Sequence, residues 1–350
     1  MDSWKIKRIL RTRLGKSDYY HWLRFLVNKK YARPYFEKYG KNYNETSMHL
    51  LKEAWVKYHW NFDEFFLYDF ASLSDQQRMS FVSEYEKNIF CDKANNNSAD
   101  LIFHDKWSTY NTFQKYYKRD AYLLNGLDDM MSSKFVSFIE KHKSFIIKPI
   151  YAATGKGIEI IHCENYSDAI LKLKAIINNG EIYILEELIV QSRELSVFHP
   201  SSVNTIRIST FRYGPNDIEI LYPFIKFGTG GNFVDNGGRG GIICSIEPTT
   251  GSIIAAIDES PKHYSKHPDT GQQLIGFNIP KWNEVVTLAK ELAEVLPEVR
   301  YVGWDLALTD NGWVMVEGNE KGMFIGFQLP THTGFRPHFK LICEKAEISI

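Results

Sequence analysis

The stretch that most constrains this chain runs from Val302 to Asn319: Val-Gly-Trp-Asp-Leu-Ala-Leu-Thr-Asp-Asn-Gly-Trp-Val-Met-Val-Glu-Gly-Asn. Two apolar runs flank Asp310-Asn311-Gly312, a turn sequence that tolerates the positive φ of a tight β-hairpin. Asp305 lies inside the first run, and Glu317 and Asn319 close the second. A side-chain period of two puts Glu317 and Asn319 on one face of their strand, and hairpin pairing brings Asp305 opposite them. Two carboxylates and an amide oxygen converging in this way form a hard-oxygen set. Such a set suits Mg²⁺, which completes its shell with water and substrate phosphate. A metal site of this kind predicts a phosphate-binding element upstream.

The upstream candidate is Phe145-Ile-Ile-Lys-Pro-Ile-Tyr-Ala-Ala-Thr-Gly-Lys-Gly-Ile-Glu-Ile-Ile161. Lys148 ends one strand, and Thr154-Gly155-Lys156-Gly157 forms a loop into the next. Glycines let backbone N–H groups approach phosphate oxygens, and the two lysines supply point charges. The segment is not a Walker motif, because the loop returns into a strand and lacks that spacing. Alone it reads as an ordinary hairpin turn, and the downstream hairpin is what favours phosphate. Further on, Ile182-Tyr-Ile-Leu-Glu-Glu-Leu-Ile189 is a strand ending in Glu186 and Glu187. Its backbone suits an adenine edge, and a carboxylate there suits an amino group or ribose hydroxyls; in isolation it is a solvated strand end.

Arg207 sits in the apolar strand Ser202–Ile208, where an unpaired guanidinium is costly. A bound anion (γ-phosphate, acyl phosphate or substrate carboxylate) accounts for it better than structure alone. Gly228 to Gly241 is too rich in glycine for regular strand. With Asp235, Asn236 and Arg239 it either wraps an acceptor or forms a surface loop, and both readings stay open. His263 and His267 precede Pro268 in a polar loop, as a candidate base or as solvent-facing histidines.

Residues 4 to 90 read as helical. Trp4 to Leu14 is basic and amphipathic, Tyr19 to Val27 and Leu50 to His59 have helical apolar spacing, and Ser72 to Asp75 can cap a helix running to about Phe90. The basic opening suits a membrane surface, an anionic glycan carrier or a solvated helix face. An Asn-rich gap at Lys93 to Asp100 marks a boundary, and a mixed α/β pattern follows. Trp282 to Leu296 is a helix. Lys plus Arg and Asp plus Glu are equal at 42 each, so no global field favours nucleic acid or anionic membrane, which leaves only local basic patches. The four cysteines lack metal-ligand spacing and read as reduced thiols. No signal peptide or apolar run of roughly 20 residues is apparent, and the expectation is a cytoplasmic protein. The aromatic fraction of 15%, heavy in the first 120 residues, points to an aromatic core ahead of a sugar- or partner-binding surface.

The order of these elements resembles the ATP-grasp superfamily. The closer resemblance is to the sugar-transfer-associated ATP-grasp family of capsule and O-antigen biosynthesis. It rests on Ser202-Val-Asn-Thr-Ile-Arg-Ile208, Val234-Asp-Asn236 with Gly237-Gly-Arg-Gly-Gly241, His267-Pro-Asp-Thr-Gly271, Phe277-Asn-Ile-Pro-Lys-Trp282 and Gly303-Trp-Asp305, and covers roughly residues 100 to 335. The turn Ile246-Glu-Pro-Thr-Thr-Gly251 departs from the pattern, with Glu where Asp is expected.

The resemblance implies an α+β fold of two lobes sandwiching ATP behind an N-terminal helical region. Its divisions are residues 1–95, 96–190 with the phosphate-binding flap, and 191–350 with the metal and acceptor site. It implies that Lys106 and Lys148 hold the α- and β-phosphates under a lid of Thr154, Gly155, Lys156 and Gly157. Glu186, Glu187 and Leu188 would meet adenine, with Glu194 for ribose. Asp305, Glu317 and Asn319 would hold two Mg²⁺, Glu317 bridging, and Arg207, Asp235, Asn236 and Arg239 would serve catalysis and the acceptor. The implied reaction joins a carboxylate and an amine through an acyl phosphate, on a uronic acid or amino-acid-decorated sugar. The alternatives are a kinase of a sugar or polyol hydroxyl, and a nucleotide-binding scaffold for glycosyltransferases. Implied partners are sugar-linked substrates and glycosyltransferase or capsule-assembly proteins, without nucleic acid or a transmembrane segment.

Overall fold

In a computed structural model, residues 14, 17–96, 99–152, 157–177, 180–231 and 240–350 are described. The basic segment Trp4 to Leu14, apart from Leu14, and the positions Thr154, Gly155, Lys156, Asp235, Asn236 and Arg239 lie outside the described residues.

The N-terminal region is a set of short helices, several of them started by a side chain that reaches the third helical residue. Asn44 with Ser47, Asn61 with Glu64, Ser74 with Gln77 and Ser83 with Glu86 all form reciprocal capping boxes. The single helix expected from Ser72 to Phe90 is therefore two, Asp75–Ser80 and Glu84–Ala94. Phe81 turns extended, at ψ 141°, and buries its ring, while Ser83 starts the next helix. Trp60, Tyr68, Phe70 and Phe81 pack edge to face in this region's core, which is where much of the early aromatic content goes.

Two antiparallel sheets follow. The first contains β1 (Ala121–Leu124), β2 (Ser144–Pro149), β3 (Glu159–His162) and β4 (Tyr183–Glu187), in the order β1-β4-β2-β3. The helices Ser133–Lys141 and Tyr166–Ile176 bury Phe135, Phe138, Ala169 and Leu173 against it. The second contains β5 (Ile206–Gly214), β6 (Asp217–Phe227), β7 (Ile242–Ile246), β8 (Ile253–Ile257), β9 (Tyr301–Thr309) and β10 (Gly312–Asn319), in the order β10-β9-β5-β6-β7-β8. On one face Ile206, Ile208, Trp304, Leu306 and Met315 share a core with Val285, Ala289 and Leu292 of helix Trp282–Val295. On the other, Phe211, Leu221 and Tyr301 pack on Phe90 and Phe339. The second sheet is thus buried on both sides.

The end of the chain packs back on the N-terminal helices. Gln328 accepts from the Val82 N–H and donates to the Val82 carbonyl, and Arg336 forks onto Glu86 at 2.6 and 2.8 Å. Gly334 passes so close to this junction that a Cβ there would stand 2.1 Å from the Ser80 carbonyl carbon. Gly334→Ala is expected to destabilise the protein by about 2 kcal/mol, the usual scale for overpacking against atoms that cannot yield. Urea unfolding checks this, and an unchanged midpoint would show the junction to be looser than its geometry.

Candidate active site

A cavity of about 970 Å³ opens between the two sheets. Its walls include Lys106, Lys148, Glu186, Glu187 and Leu188 from the first half of the site and Glu317 and Asn319 from β10.

The hairpin β9–β10 turns at Asp310-Asn311, and Gly312 adopts φ +98°. Its register places Glu317 opposite Asp305 and Asn319 opposite Gly303. One device was not visible in the sequence. The register shifts between Met315 and Glu317, so that Val316 is an extra, bulged residue. Strict alternation from Trp313 and Met315, both in the apolar core, would carry Glu317 to that same side. The bulge swaps faces and turns the carboxylate into the cavity, a known use of bulges beside functional sites.

Asp305 is 6% exposed, and its neighbours explain how a carboxylate survives there. Arg207, its register partner on β5, forks onto it with Nε–Oδ1 2.7 Å and Nη2–Oδ2 2.6 Å. Lys226 Nζ stands 3.4 Å from Oδ1. Burial pushes the carboxyl up, but Arg207 and then Lys226 outweigh it and hold the pKa at about 2. The anion expected beside Arg207 is therefore, in this structure, the chain's own Asp305 rather than an external group. Each carboxylate oxygen has two acceptor sites, so Asp305 can hold the guanidinium and still offer a lone pair to a cation. Arg207 likewise keeps Nη1 beside Gly303 and Gly322, where a Cβ would lie 3.3 and 3.4 Å from it.

Glu317 is solvent-accessible at the cavity wall, and among the described residues no hydrogen bond or ion pair claims its carboxylate. Restricted solvation, followed by the charge of Asp305, pushes its pKa up. Asn319 Nδ2 is buried without a hydrogen-bond partner among the described residues. An uncommitted carboxylate, an amide and an ionised aspartate make a donor set that fits a hard divalent cation.

Lys148 donates to Glu186 Oε1 at 2.9 Å, and Arg119 Nε donates to Glu186 Oε2 at 2.9 Å. Burial raises the Glu186 carboxyl, yet Lys148 and Arg119 bring its pKa down to about 2. Its two oxygens are thus engaged by Lys148 and Arg119, and the side chain also lines the cavity. Glu186 orients Lys148 toward the cavity. Glu187 is also engaged: its Oε2 accepts from the Asp120 N–H at 3.0 Å, and its N–H donates to the Asp120 carbonyl. Leu188 lines the cavity, and no hydrogen bond among the described residues uses its backbone. Glu194 bends back to Ser192 and is not part of the cavity wall. Lys106 opens helix Lys106–Tyr117 beside the cavity, where its Nζ donates to the Ala152 carbonyl and burial lowers its pKa. Gly157 takes φ +69° at the foot of the flap, and the flap's tip lies outside the described residues.

Lys148→Ala leaves Glu186 paired with Arg119, so the fold should persist. Nucleotide affinity by calorimetry should fall roughly tenfold to a hundredfold, the range for one charge-assisted hydrogen bond. An unaltered affinity would remove Lys148 from any phosphate role.

The histidine candidates separate. His267 is buried, with Nε2 2.8 Å from the Gly228 carbonyl, and burial lowers its pKa. With His199, whose Nε2 lies 2.9 Å from the Gly230 carbonyl, it tethers the start of the glycine-rich stretch. His263 stands exposed in its loop. Arg119 and Lys226 are the charged site residues that sequence reasoning missed, since only the tertiary fold sets them beside Glu186 and Asp305.

The family profile described as sugar-transfer associated ATP-grasp matches residues 85–344. Among curated proteins none matches the chain. Solved structures similar to it include D-alanine–D-alanine ligase from Bacillus anthracis, 14% identical over 72% of this chain and 70% of that one, with a TM-score of 0.44. D-alanyl-alanine synthetase A from Vibrio cholerae is 12% identical over 73% and 67% of the two chains, with a TM-score of 0.46. D-cycloserine synthetase is 12% identical over 73% and 77%, with a TM-score of 0.44. These structural likenesses are loose.

Proposed function

The chain belongs to the sugar-transfer associated ATP-grasp family, and from that premise we propose an ATP- and Mg²⁺-dependent carboxylate–amine ligase acting on a sugar-linked substrate. The observation that supports this reading best is one cavity lined by two lysines, Lys106 and Lys148, and by the hard-oxygen donors Glu317 and Asn319. Phosphate needs the first set and its counter-cation needs the second.

In this reading Lys106 and Lys148 would hold the α- and β-phosphates of ATP, and the backbone around Glu187 and Leu188 would read the adenine edge. Asp305, Glu317 and Asn319 would hold two Mg²⁺ ions, which supply neutralisation of charge on the phosphoryl group. Arg207 would fix the Asp305 carboxylate and offer Nη1 to an anionic reactant. The substrate carboxylate oxygen would form a bond to the γ-phosphorus as the bridge to ADP breaks. The amine nitrogen would then bond to the acyl carbon as the carbon–oxygen bond to phosphate breaks, phosphate leaving with that bond's electron pair, the carbonyl re-forming and the amine proton passing to solvent. Such a reaction is carried by positioning and charge stabilisation and requires no nucleophilic Ser or Cys. The Gly228 to Gly241 stretch, with Asp235, Asn236 and Arg239, is the proposed acceptor side. A uronic acid joined to an amino acid or small amine of a capsule or O-antigen precursor is the proposed product class.

The test is a product balance over panels of uronic acids, amino acids and amines. Equal ADP and free phosphate, appearing only with acid and amine together, is the expected result. Phosphate retained on a hydroxyl acceptor would make the protein a kinase, and no ADP with any acceptor would leave it a nucleotide-binding scaffold.

A further inference from the structure

Helix Asp18–Asn28 presents an apolar side to solvent. Its buried residues are His21 and Phe25, whereas Tyr19, Leu23, Leu26 and Val27 are 67%, 40%, 37% and 67% exposed. At about 100° per residue, these four and the half-buried Trp22 share one face, opposite His21 and Phe25. Tyr19 stacks on Trp22 with ring centroids 5.7 Å apart, and Tyr31, 55% exposed, extends the patch beyond the helix. Single exposed apolar residues are ordinary on protein surfaces, but a continuous stripe of this size marks an interaction site.

In sequence, the charge on either side of the stripe is one-sided. Between residues 1 and 38 the sequence has Lys5, Lys7, Arg8, Arg11, Arg13, Lys16, Arg24, Lys29, Lys30, Arg33 and Lys38, against Asp2, Asp18 and Glu37, of which Glu37 pairs with Arg33 at 3.3 Å. The chain as a whole is neutral, so its positive charge is concentrated here. Lys29 and Lys30 are exposed at the end of the helix.

We propose that this N-terminal segment docks the protein on the surface of an anionic lipid bilayer. Tyr19, Trp22, Leu23, Leu26 and Val27 enter the headgroup–acyl boundary, where amphipathic aromatic rings are favoured, and the flanking cations meet lipid phosphates. Each cation near an anionic surface strengthens association by roughly fivefold, so the cluster adds to the apolar contact. A second copy is a poorer occupant, because two-fold pairing of the stripe sets one cationic cluster against another. No helix among the described residues is long and apolar enough to cross a membrane, and the docking proposed is peripheral. The inference is independent of the ligase reading.

Vesicle flotation of the full chain tests it. The protein should float with vesicles of phosphatidylcholine mixed with phosphatidylglycerol, not with phosphatidylcholine alone, and raised salt should weaken the association. Leu23→Glu with Val27→Glu should reduce vesicle partitioning by at least about tenfold, since each buried side chain becomes a charge in the interface. Circular dichroism and nucleotide binding should stay as in the wild type. Absence of flotation with the anionic vesicles overturns the proposal, as does undiminished flotation of the double variant. A wild-type dimer that this variant converts to monomers, without vesicle binding, assigns the stripe to a second copy instead.

Discussion

Glu317→Gln is expected to lower ADP release by on the order of a hundredfold to a thousandfold, the scale on which removing one electrostatic stabiliser slows catalysis. Its stability should not fall. In the folded protein Glu317 carries a raised pKa, from limited solvation and then from the charge of Asp305. A carboxyl raised above its unfolded value binds its proton more tightly in the native state, so ionising it lowers stability as pH rises from the ordinary value of 4.5 through the folded pKa. Glutamine keeps the shape and removes that cost. Above this range the variant should unfold at an equal or higher denaturant concentration than the wild type, while its turnover collapses. A site that trades stability for activity behaves this way. Unchanged ADP release in Glu317→Gln would end the metal assignment, whatever the unfolding curve shows.

Arg207→Met should have the largest effect on stability, a loss of about 3 kcal/mol or more, because it strands a buried charge. Asp305 would keep only Lys226, at 3.4 Å, in place of the two-pronged contact at 2.6 and 2.7 Å. The sign with pH follows from the depressed carboxyl. Its contribution is complete above the ordinary aspartate value of 3.8 and is lost as pH falls toward about 2, so the gap between wild type and variant should narrow over that interval. Adding Asp305→Leu to Arg207→Met should recover much of the loss, since removing both charges is far cheaper than removing one. Urea unfolding of the wild type, Arg207→Met, Asp305→Leu and the double variant forms a double-mutant cycle. A single Arg207 variant as stable as wild type would mean that Asp305 is better solvated than its surroundings indicate.

The parts of the site that were legible in the sequence are those encoded locally. Asp310-Asn311-Gly312 between alternating apolar runs specified the β9–β10 hairpin, but that turn alone sets Asp305 across from Val316, and the bulge is what brings Glu317 opposite it. The β2–β3 flap and the strand ending in Glu186 and Glu187 were equally readable from period and flanking glycine. What failed was long-range or depended on a break in the period. The Val316 bulge has no sequence signature, because valine in a strand is the commonest of residues there. Arg119 lies 67 residues from Glu186 and Arg207 lies 98 from Asp305, and only tertiary packing shows which cation each acid holds. For the same reason the pairing of the two Glu186 oxygens with Lys148 and Arg119 was not legible. The helix division at Phe81 was readable, since Ser83 and Glu86 form a capping box, but the apolar spacing across it concealed the break. The aromatic-rich N-terminal region divides between core and surface, and composition cannot separate Phe36 from Tyr19.

Calorimetric titration of ATP into the wild type and Glu317→Gln, each with Mg²⁺ and with the metal chelated, tests the central claim most directly. The account predicts wild-type binding that weakens by at least about tenfold on chelation, the loss of roughly one charge-assisted contact, and a variant whose weaker binding no longer responds to the metal. Wild-type affinity that is the same with and without Mg²⁺, or no ATP binding at all, would contradict it.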